Sequence, residues 1–452
     1  MSSQYQHRRR RLVLLLLLTL VRGLIYASLI PPWQAPDETG HFEYAWSLAH
    51  LKRMPTRQDR SDVFEQELLA SLYEWHYGEF INRALPEQMP SSLNDLPAWI
   101  FAQRDRTLLA GRFSLSYIWQ AIFIWPVLRQ DLLLQLFLAR FSSILINVGI
   151  VLLSYLVFTE LVPAHRQLAC MMTLVVILVP QHTFINSMVG DGPLAELATC
   201  WVIYCWVHLF SRGFSVWKAA GIVLGIAVGI WSKATAVFLM PLSAGLGLWW
   251  LWPRLRRIWR WQYLAYLGIG AILAGAGIYV WLNSAQGYRM IIFARRLANS
   301  SLTWIDNQGV TFGEANLLSF DSFWANFGWM SLPVSERWYG SIAMLSIIAI
   351  VGLATPRFGR DVPLKFWAII GGTLLAAWVS FALTALLSRS TYQIQGRYLL
   401  PVIIPYAFVL TLGLKKVFAD SWHRYAAGTF LLFLICFDTV CLAAYILPAY
   451  YT

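Results

Sequence analysis

The chain has 452 residues, of which 58% are hydrophobic and only 13% charged, with a formal net charge of +12. An average soluble domain carries about 25% charged residues, so this much apolar surface excludes a soluble fold and must face lipid. The basic excess does not point to nucleic acid, because most of it sits in short loops between apolar runs.

In chain order, the basic tail 1–11 ends in Arg8 to Arg11, and the apolar run after it predicts a first transmembrane helix over 12–30. No small-x-small cleavage site follows, so the helix reads as a retained anchor rather than a signal peptide. Arg22 interrupts the run and has to face other helices or a polar cavity. A long loop, 31–132, comes next. Within it Asp59 to Phe80 predicts an amphipathic helix with Val63, Phe64, Leu68, Leu69, Leu72 and Trp75 on one face, either solvated or lying on the membrane edge. Ten more apolar runs are expected to cross, near 133–158, 166–184, 193–211, 216–232, 235–252, 261–283, 339–354, 364–386, 398–414 and 424–447. They form a transmembrane core (133–283), a second loop (284–338) and a C-terminal group (339–452). The fold class is therefore an all-α membrane protein of about eleven spans. The five cysteines lie in or beside apolar runs without a Cys-x-x-Cys spacing, which fits small buried hydrophobes.

The stretch Phe113 to Leu128 is apolar enough to compete as a twelfth span. If it stays outside, seventeen Lys and Arg fall in one set of short loops against three (Lys233, Arg389, Arg397) in the other. Crossing would reverse that ratio, so the stretch is expected along the outer interface as a juxtamembrane segment. The N-terminus is then cytoplasmic, and both long loops are extracytoplasmic.

On that outer face the sequence concentrates its chemistry. Prolines in Pro31-Pro32-Trp33-Gln34-Ala35-Pro36-Asp37-Glu38-Thr39-Gly40-His41-Phe42 force a sharp turn after the first span. The turn fixes the carboxylates of Asp37 and Glu38 near the bilayer surface. Such a pair can accept a proton from a hydroxyl, can hold a divalent cation, or can be an ordinary solvated turn. Asp191, at the opening of a span, reads as a helix cap or a site residue. Lys233, with almost no loop around it, snorkels or binds an anion. Arg140 lies about two turns inside a span and calls for a carboxylate or phosphate partner. Arg397 and Tyr398 open the tenth span. Charge alone thus brings Asp37, Glu38, Asp191, Lys233 and Arg397 to one membrane face.

These residues resemble a family. Pro36-Asp37-Glu38-Thr39-Gly40-His41-Phe42 is similar to the Asp-Glu motif in the first outer loop of GT-C glycosyltransferases, which include protein O-mannosyltransferases and the lipid A aminoarabinose transferase. Within that superfamily the resemblance is to a bacterial branch of polytopic membrane proteins, a domain of unknown function. Ser322-Phe323-Trp324-Ala325-Asn326-Phe327-Gly328-Trp329, Gln395-Gly396-Arg397-Tyr398-Leu399-Leu400-Pro401 and Trp231-Ser232-Lys233 carry the rest of it. The resemblance implies a GT-C-like bundle whose large first outer loop carries juxtamembrane helices. It also implies a polyprenyl-phosphate sugar as donor, Asp37 as catalytic base with Glu38 in support, and Arg397 and Lys233, with Arg140, on the donor phosphate. His41, Asp191, Trp324 and Tyr398 are candidate substrate contacts. Trp324, Phe327 and Trp329 are expected either to stack on sugar rings or to pack as a re-entrant segment. Asp37, Glu38 and Asp191 would be the ligands if a divalent cation such as Mg or Mn takes part. Two departures stand out: Phe113-Ser114-Leu115-Ser116-Tyr117 replaces a Pro-Pro-Leu-Tyr-Tyr-like element, and Asn186 and Asp191 are five apart where the family has Asn-x-Asp.

The expected activity is glycosyl transfer, with inversion, from lipid-linked sugar to a glycan, lipid or protein acceptor of the envelope. The expected location is the outer face of a bacterial inner membrane, with the bilayer as partner and no nucleic acid. A transporter or flippase of lipid-linked sugar is the alternative. A scaffold would leave the convergent charges unexplained.

Overall fold

The computed structural model describes residues 3–56, 59, 61–80, 85–91, 95, 113–257, 312–354, 362–387, 394–418, 421 and 423–451. Helices dominate: α1 (Ser3–Leu29), α2 (Glu38–Leu51), α3 (Asp62–Glu74), α4 (Tyr77–Phe80), α5 (Leu115–Ile124), α6 (Leu132–Leu161), α7 (Arg166–Leu178), α8 (Pro180–Ile185), α9 (Gly192–Arg212), α10 (Val216–Ser232) and α11 (Leu239–Arg257). Beyond residue 311 come α12 (Phe312–Trp324), a two-strand antiparallel hairpin of β1 (Asn326–Phe327) and β2 (Leu332–Pro333), α13 (Glu336–Leu353) and α14 (Leu364–Leu387). The chain ends with α15 (Ile403–Val417), α16 (His423–Val440) and α17 (Leu447–Tyr451). Short 3₁₀ segments at Ala234–Phe238 and Gly396–Val402 lead into α11 and α15.

Among the described residues, eight helices are long and apolar enough to cross a bilayer, and the shorter apolar helices α7 and α10 lie at two further expected spans. The protein is an all-α, multi-pass membrane protein. The expected span at 261–283, and the second loop up to residue 311, lie outside the described residues. Val223, Leu224, Ile347 and Leu375 are exposed on the outside of the bundle, as a lipid-facing surface requires. Pro180, which has no amide hydrogen to donate, separates α7 from α8 at an extended Val179. Asp131 starts α6 by accepting from the amides of Leu133 (2.8 Å) and Leu134 (3.4 Å).

The helical stretch 115–127 rises only about 20 Å, short of the ~30 Å hydrocarbon layer, and it packs on α2 and α6. With α2 and α3 it builds a second core outside the main bundle, around Trp33, Phe42, Phe64, Leu68, Leu72, Tyr117 and Leu136. The amphipathic face expected for 59–80 is present on α3, but the helix runs only from Asp62 to Glu74, breaks at His76, where φ is positive, and resumes as α4. Val63 is exposed, because it lies in the first turn of α3 next to Ser61, whose hydroxyl caps the helix on Phe64 N.

The ends of the helices sort by charge. One end gathers Arg11, Arg166, Lys415 and Arg424 around a shared cavity, and Arg212 pairs with Glu160. The other end carries the turn after α1, the start of α9, the end of α10 and the segment leading into α15. Arg22, expected to face inward, pairs with Asp438 of α16, which also accepts from Tyr26 OH (2.8 Å), while Arg22 Nη2 donates to Thr183 Oγ1 (3.1 Å). These contacts join α1, α8 and α16.

Helices α13 and α15 approach backbone to backbone: a Cβ on Gly413 would strike the carbonyl of Ala349, and one on Gly352 the carbonyl of Gly413. Gly413→Ala is therefore expected to destabilise the protein by roughly 1–3 kcal/mol through overpacking. Gly428→Ala, where an added Cβ meets nothing within 4 Å, is expected to leave it at least as stable. Thermal unfolding of the two variants in detergent checks this.

Candidate functional site

The site begins with an unusual turn. Trp33 and Asp37 both have positive φ (69° and 67°), a region that bulky residues such as Trp occupy only when their surroundings impose it. The surroundings of Trp33 do so. Its amide donates to Glu38 Oε2 (3.1 Å), its indole to Ser71 Oγ (2.9 Å), and its carbonyl accepts from Trp329 Nε1 (3.0 Å), with the ring edge-on to Phe42. Asp37 occupies the N-cap position of α2, yet its side chain makes no capping bond. Its carboxylate points to Arg397 Nη2, 2.8 Å away, while Arg397 Nη1 reaches the Pro36 carbonyl at 3.4 Å.

Glu38 goes the other way. It is fully buried and forms a two-pronged pair with Arg140, Nε to Oε1 at 2.8 Å and Nη2 to Oε2 at 2.6 Å. The remaining Arg140 donors reach the carbonyls of Ala27 (2.9 Å), Ile30 (2.7 Å) and Pro31 (3.0 Å). Glu38 also accepts from the amides of Trp33 and Val189. With all five guanidinium N–H groups engaged, Arg140 has none left for a lipid phosphate. With both oxygens enclosed, Glu38 is not placed to handle a substrate proton. Both residues differ here from the roles the resemblance implies: they hold the turn and do not face the site.

A second ion pair lies beside the first. Lys233 Nζ meets Asp191 Oδ1 at 2.7 Å. Asp191 stands at the N-cap position of α9 but makes no capping bond either, and Lys233 is the extended residue that ends α10. Tyr398 separates the two pairs, with Lys233 Nζ and Arg397 Cζ each 5.2 Å from its ring centroid, inside cation–π range. The four charged side chains keep between 11% and 29% of their surface exposed, so the cluster is sheltered yet reachable. His41 completes it, its Nδ1 2.7 Å from Tyr117 OH. Burial pushes the His41 imidazole below its ordinary value and outweighs the attraction of Asp191 and Asp37. For Asp191, burial acts upward but Lys233, His41 and Arg397 prevail, bringing its carboxyl down to about 2.

The scaffold of this cluster was not visible as such in the sequence. Ser114 Oγ donates to the Ser232 carbonyl (3.0 Å), Ser116 Oγ to that of Asp191 (3.0 Å) and Gln120 Nε2 to that of Gly190 (2.7 Å). The stretch that departs from the Pro-Pro-Leu-Tyr-Tyr-like element thus grips the backbone at Asp191 and at Ser232, next to Lys233. Its signal was a polar stripe, Ser116, Tyr117 and Gln120, at helical spacing on an otherwise apolar segment. Gly396 shows why Arg397 follows a glycine: a Cβ there would overlap the backbone of α12 at Ser319 and Phe323, and its amide donates to Ser322 Oγ (2.7 Å).

The aromatic residues of the second loop pack against the bundle or brace the turn. Trp324 is buried against Phe323, Tyr406 and Phe437, and Phe327 against Tyr26 and Phe184. Both are buried packing residues. Trp329 braces Trp33 and Tyr77. Among the described residues no group of three or more His, Cys, Asp or Glu is placed to hold a metal ion. Asp37, Glu38 and Asp191 do not fit a cation site, since each turns to a different basic partner.

A family described as predicted membrane protein (DUF2142) matches residues 20–405. The chain belongs to that family. The match takes in the turn at Trp33 to Asp37 and extends past Arg397, so every charged group of the cluster in this DUF2142 protein falls within it. No curated protein and no solved structure matches the chain.

Two outcomes are expected of this DUF2142 member. Arg140→Ala leaves the Glu38 carboxylate buried without its partner, so it should cost about 3–5 kcal/mol. Arg140→Lys should recover only part, because an ammonium cannot serve both carboxylate oxygens and three carbonyls. Unfolding in detergent and yield of folded protein measure both. The His41 imidazole, held below its unfolded value of about 6.5, takes up its proton later than the unfolded chain does as pH falls. Its contribution is thus fully present above that value and is lost as pH drops through it toward the folded value. Replacing His41 with Gln should flatten this part of the stability curve, read as melting temperature between about pH 5 and 8.

Proposed function

We propose that this protein is a membrane glycosyltransferase that moves a sugar from a polyprenyl-phosphate donor to an envelope acceptor. The cluster end faces the outside of a bacterial inner membrane and the basic end, with the N-terminus, faces the cytoplasm. The Lys and Arg asymmetry of the short loops supports that orientation. The order of the Asp-Glu, Phe-Trp-x-x-Phe-Gly-Trp and Gly-Arg-Tyr elements, which resembles GT-C enzymes, supports the reaction class.

One observation carries the reading: the Asp37 carboxylate lies 2.8 Å from the Arg397 guanidinium in a partly exposed cluster, with the Lys233 ammonium across Tyr398. That pairing joins the two groups an inverting transfer needs, a base for the acceptor and a cation for the leaving phosphate. The donor phosphate enters laterally from lipid and takes over Arg397 and Lys233, which releases Asp37. The acceptor hydroxyl gives its proton to Asp37 as its oxygen attacks the anomeric carbon. The bond from that carbon to the phosphate oxygen breaks on the opposite face, and polyprenyl phosphate leaves carrying the electron pair. One displacement inverts the anomeric centre. His41 and Tyr117 sit beside the reacting groups as substrate contacts.

Purified protein incubated with polyprenyl-phosphate sugars and candidate acceptors tests this. The expected result is free polyprenyl phosphate together with a glycosylated acceptor. Asp37→Asn should lower the rate at least about a hundredfold, within the range of general-base loss, while the protein stays folded. Redistribution of lipid-linked sugar across vesicles without bond cleavage would establish a flippase instead.

A further inference from the structure

At the basic end, α1, α7, α13, α15 and α16 line a half-open cavity of about 1570 Å³, larger than the roughly 300–1,000 Å³ of small-molecule sites. Its walls are aliphatic and aromatic side chains such as Leu18 and Phe433. Its lining also includes Arg11, Arg166, Lys415 and Arg424, with no Asp or Glu among the described lining residues. The bias of positive charge toward one membrane face accounts for basic loops. It does not account for four cations from four helices meeting over one apolar cavity.

A separate observation comes from α15. Hydroxyls of Thr19, Thr173, Thr199 and Thr373 donate to the carbonyl four residues earlier. The Thr411 hydroxyl, in a side chain only 5% exposed, has no partner among the described residues, and Thr411 lines this cavity. A buried hydroxyl without a partner is unfavourable, so it marks a position where a bound acceptor belongs. It lies one turn from Lys415, about 6 Å deeper along the helix.

We propose that this cavity is a binding site for an acidic phospholipid, with the headgroup phosphate on Arg11, Arg166, Lys415 and Arg424, the glycerol ester carbonyl accepting from Thr411, and the acyl chains along the apolar walls. Basic pockets between transmembrane helices bind acidic lipid headgroups in this way. The ester separates this occupant from a polyprenyl phosphate, which has a phosphate but no carbonyl to offer one turn below it. The site is at the opposite end from the Asp37 cluster and does not depend on sugar transfer.

Full-length protein, stripped of lipid in detergent, is titrated with phosphatidylglycerol, phosphatidylcholine and undecaprenyl phosphate and read by native mass spectrometry. Phosphatidylglycerol should be retained over the other two. The combined variant Arg166→Gln, Lys415→Gln and Arg424→Gln should weaken it on the order of a hundredfold and leave phosphatidylcholine unchanged. Thr411→Val, which keeps side-chain size and all four cations, should weaken it by up to about tenfold and provides the reading if the combined variant does not fold. Equal retention of phosphatidylglycerol and phosphatidylcholine, preference for undecaprenyl phosphate, or full phosphatidylglycerol retention by Thr411→Val would each overturn the proposal.

Discussion

The ion pair between Arg140 and Glu38 is the constraint around which the cluster end is organised. Both side chains are fully buried, and a buried charge is tolerable only when its partner and the remaining hydrogen bonds are all in place. Arg140 meets that demand with five N–H contacts that also bind the last carbonyls of α1 and the following proline turn. Glu38 meets it by taking the amides of Trp33 and Val189. The first span, the turn after it, the second span and the loop before α9 therefore share one electrostatic knot. The two left-handed residues of the turn are held by it, and Asp37 is carried to its position beside Arg397.

Around that knot, the exposed charges alternate. Asp37 with Arg397 and Asp191 with Lys233 form two pairs on either side of one tyrosine ring. Each acid sits at the start of a helix without capping it, so local helix chemistry is given up for a contact with a distant segment. Residues that surrender a local hydrogen bond in this way are the ones whose position serves something beyond the fold. The neutral polar groups of α5 do the converse: Ser114, Ser116 and Gln120 spend their hydrogen bonds on backbone carbonyls and fix where the charges stand.

The spans were legible because bilayer thickness imposes a length and a composition that local sequence displays directly. The gathering of Asp37, Asp191, Lys233 and Arg397 at one end was legible for a related reason: once the spans alternate, each charge at a helix end has its face assigned. What could not be read were pairings across the bundle. Glu38 and Asp37 are neighbours in an acidic doublet, and nothing local says that one turns into the core toward a residue 102 positions away while the other stays at the surface. The burial of Trp324 is equally non-local, since it comes from Tyr406 and Phe437 of α15 and α16. Charge counting predicted an outer placement for α5, but its function as a clamp needed coordinates.

Helix α15 and the 3₁₀ segment before it form one continuous rod from Gly396 to Val417, with Arg397 near one tip and Lys415 near the other. The glycine contact with α13 presses backbone on backbone toward the Lys415 end of the α13–α15 seam, where packing leaves little room for bending. A sliding of this rod along its axis would displace both tips together, by the same amount and in the same direction. The Arg397 end and the Lys415 end of the bundle thus share a single structural member.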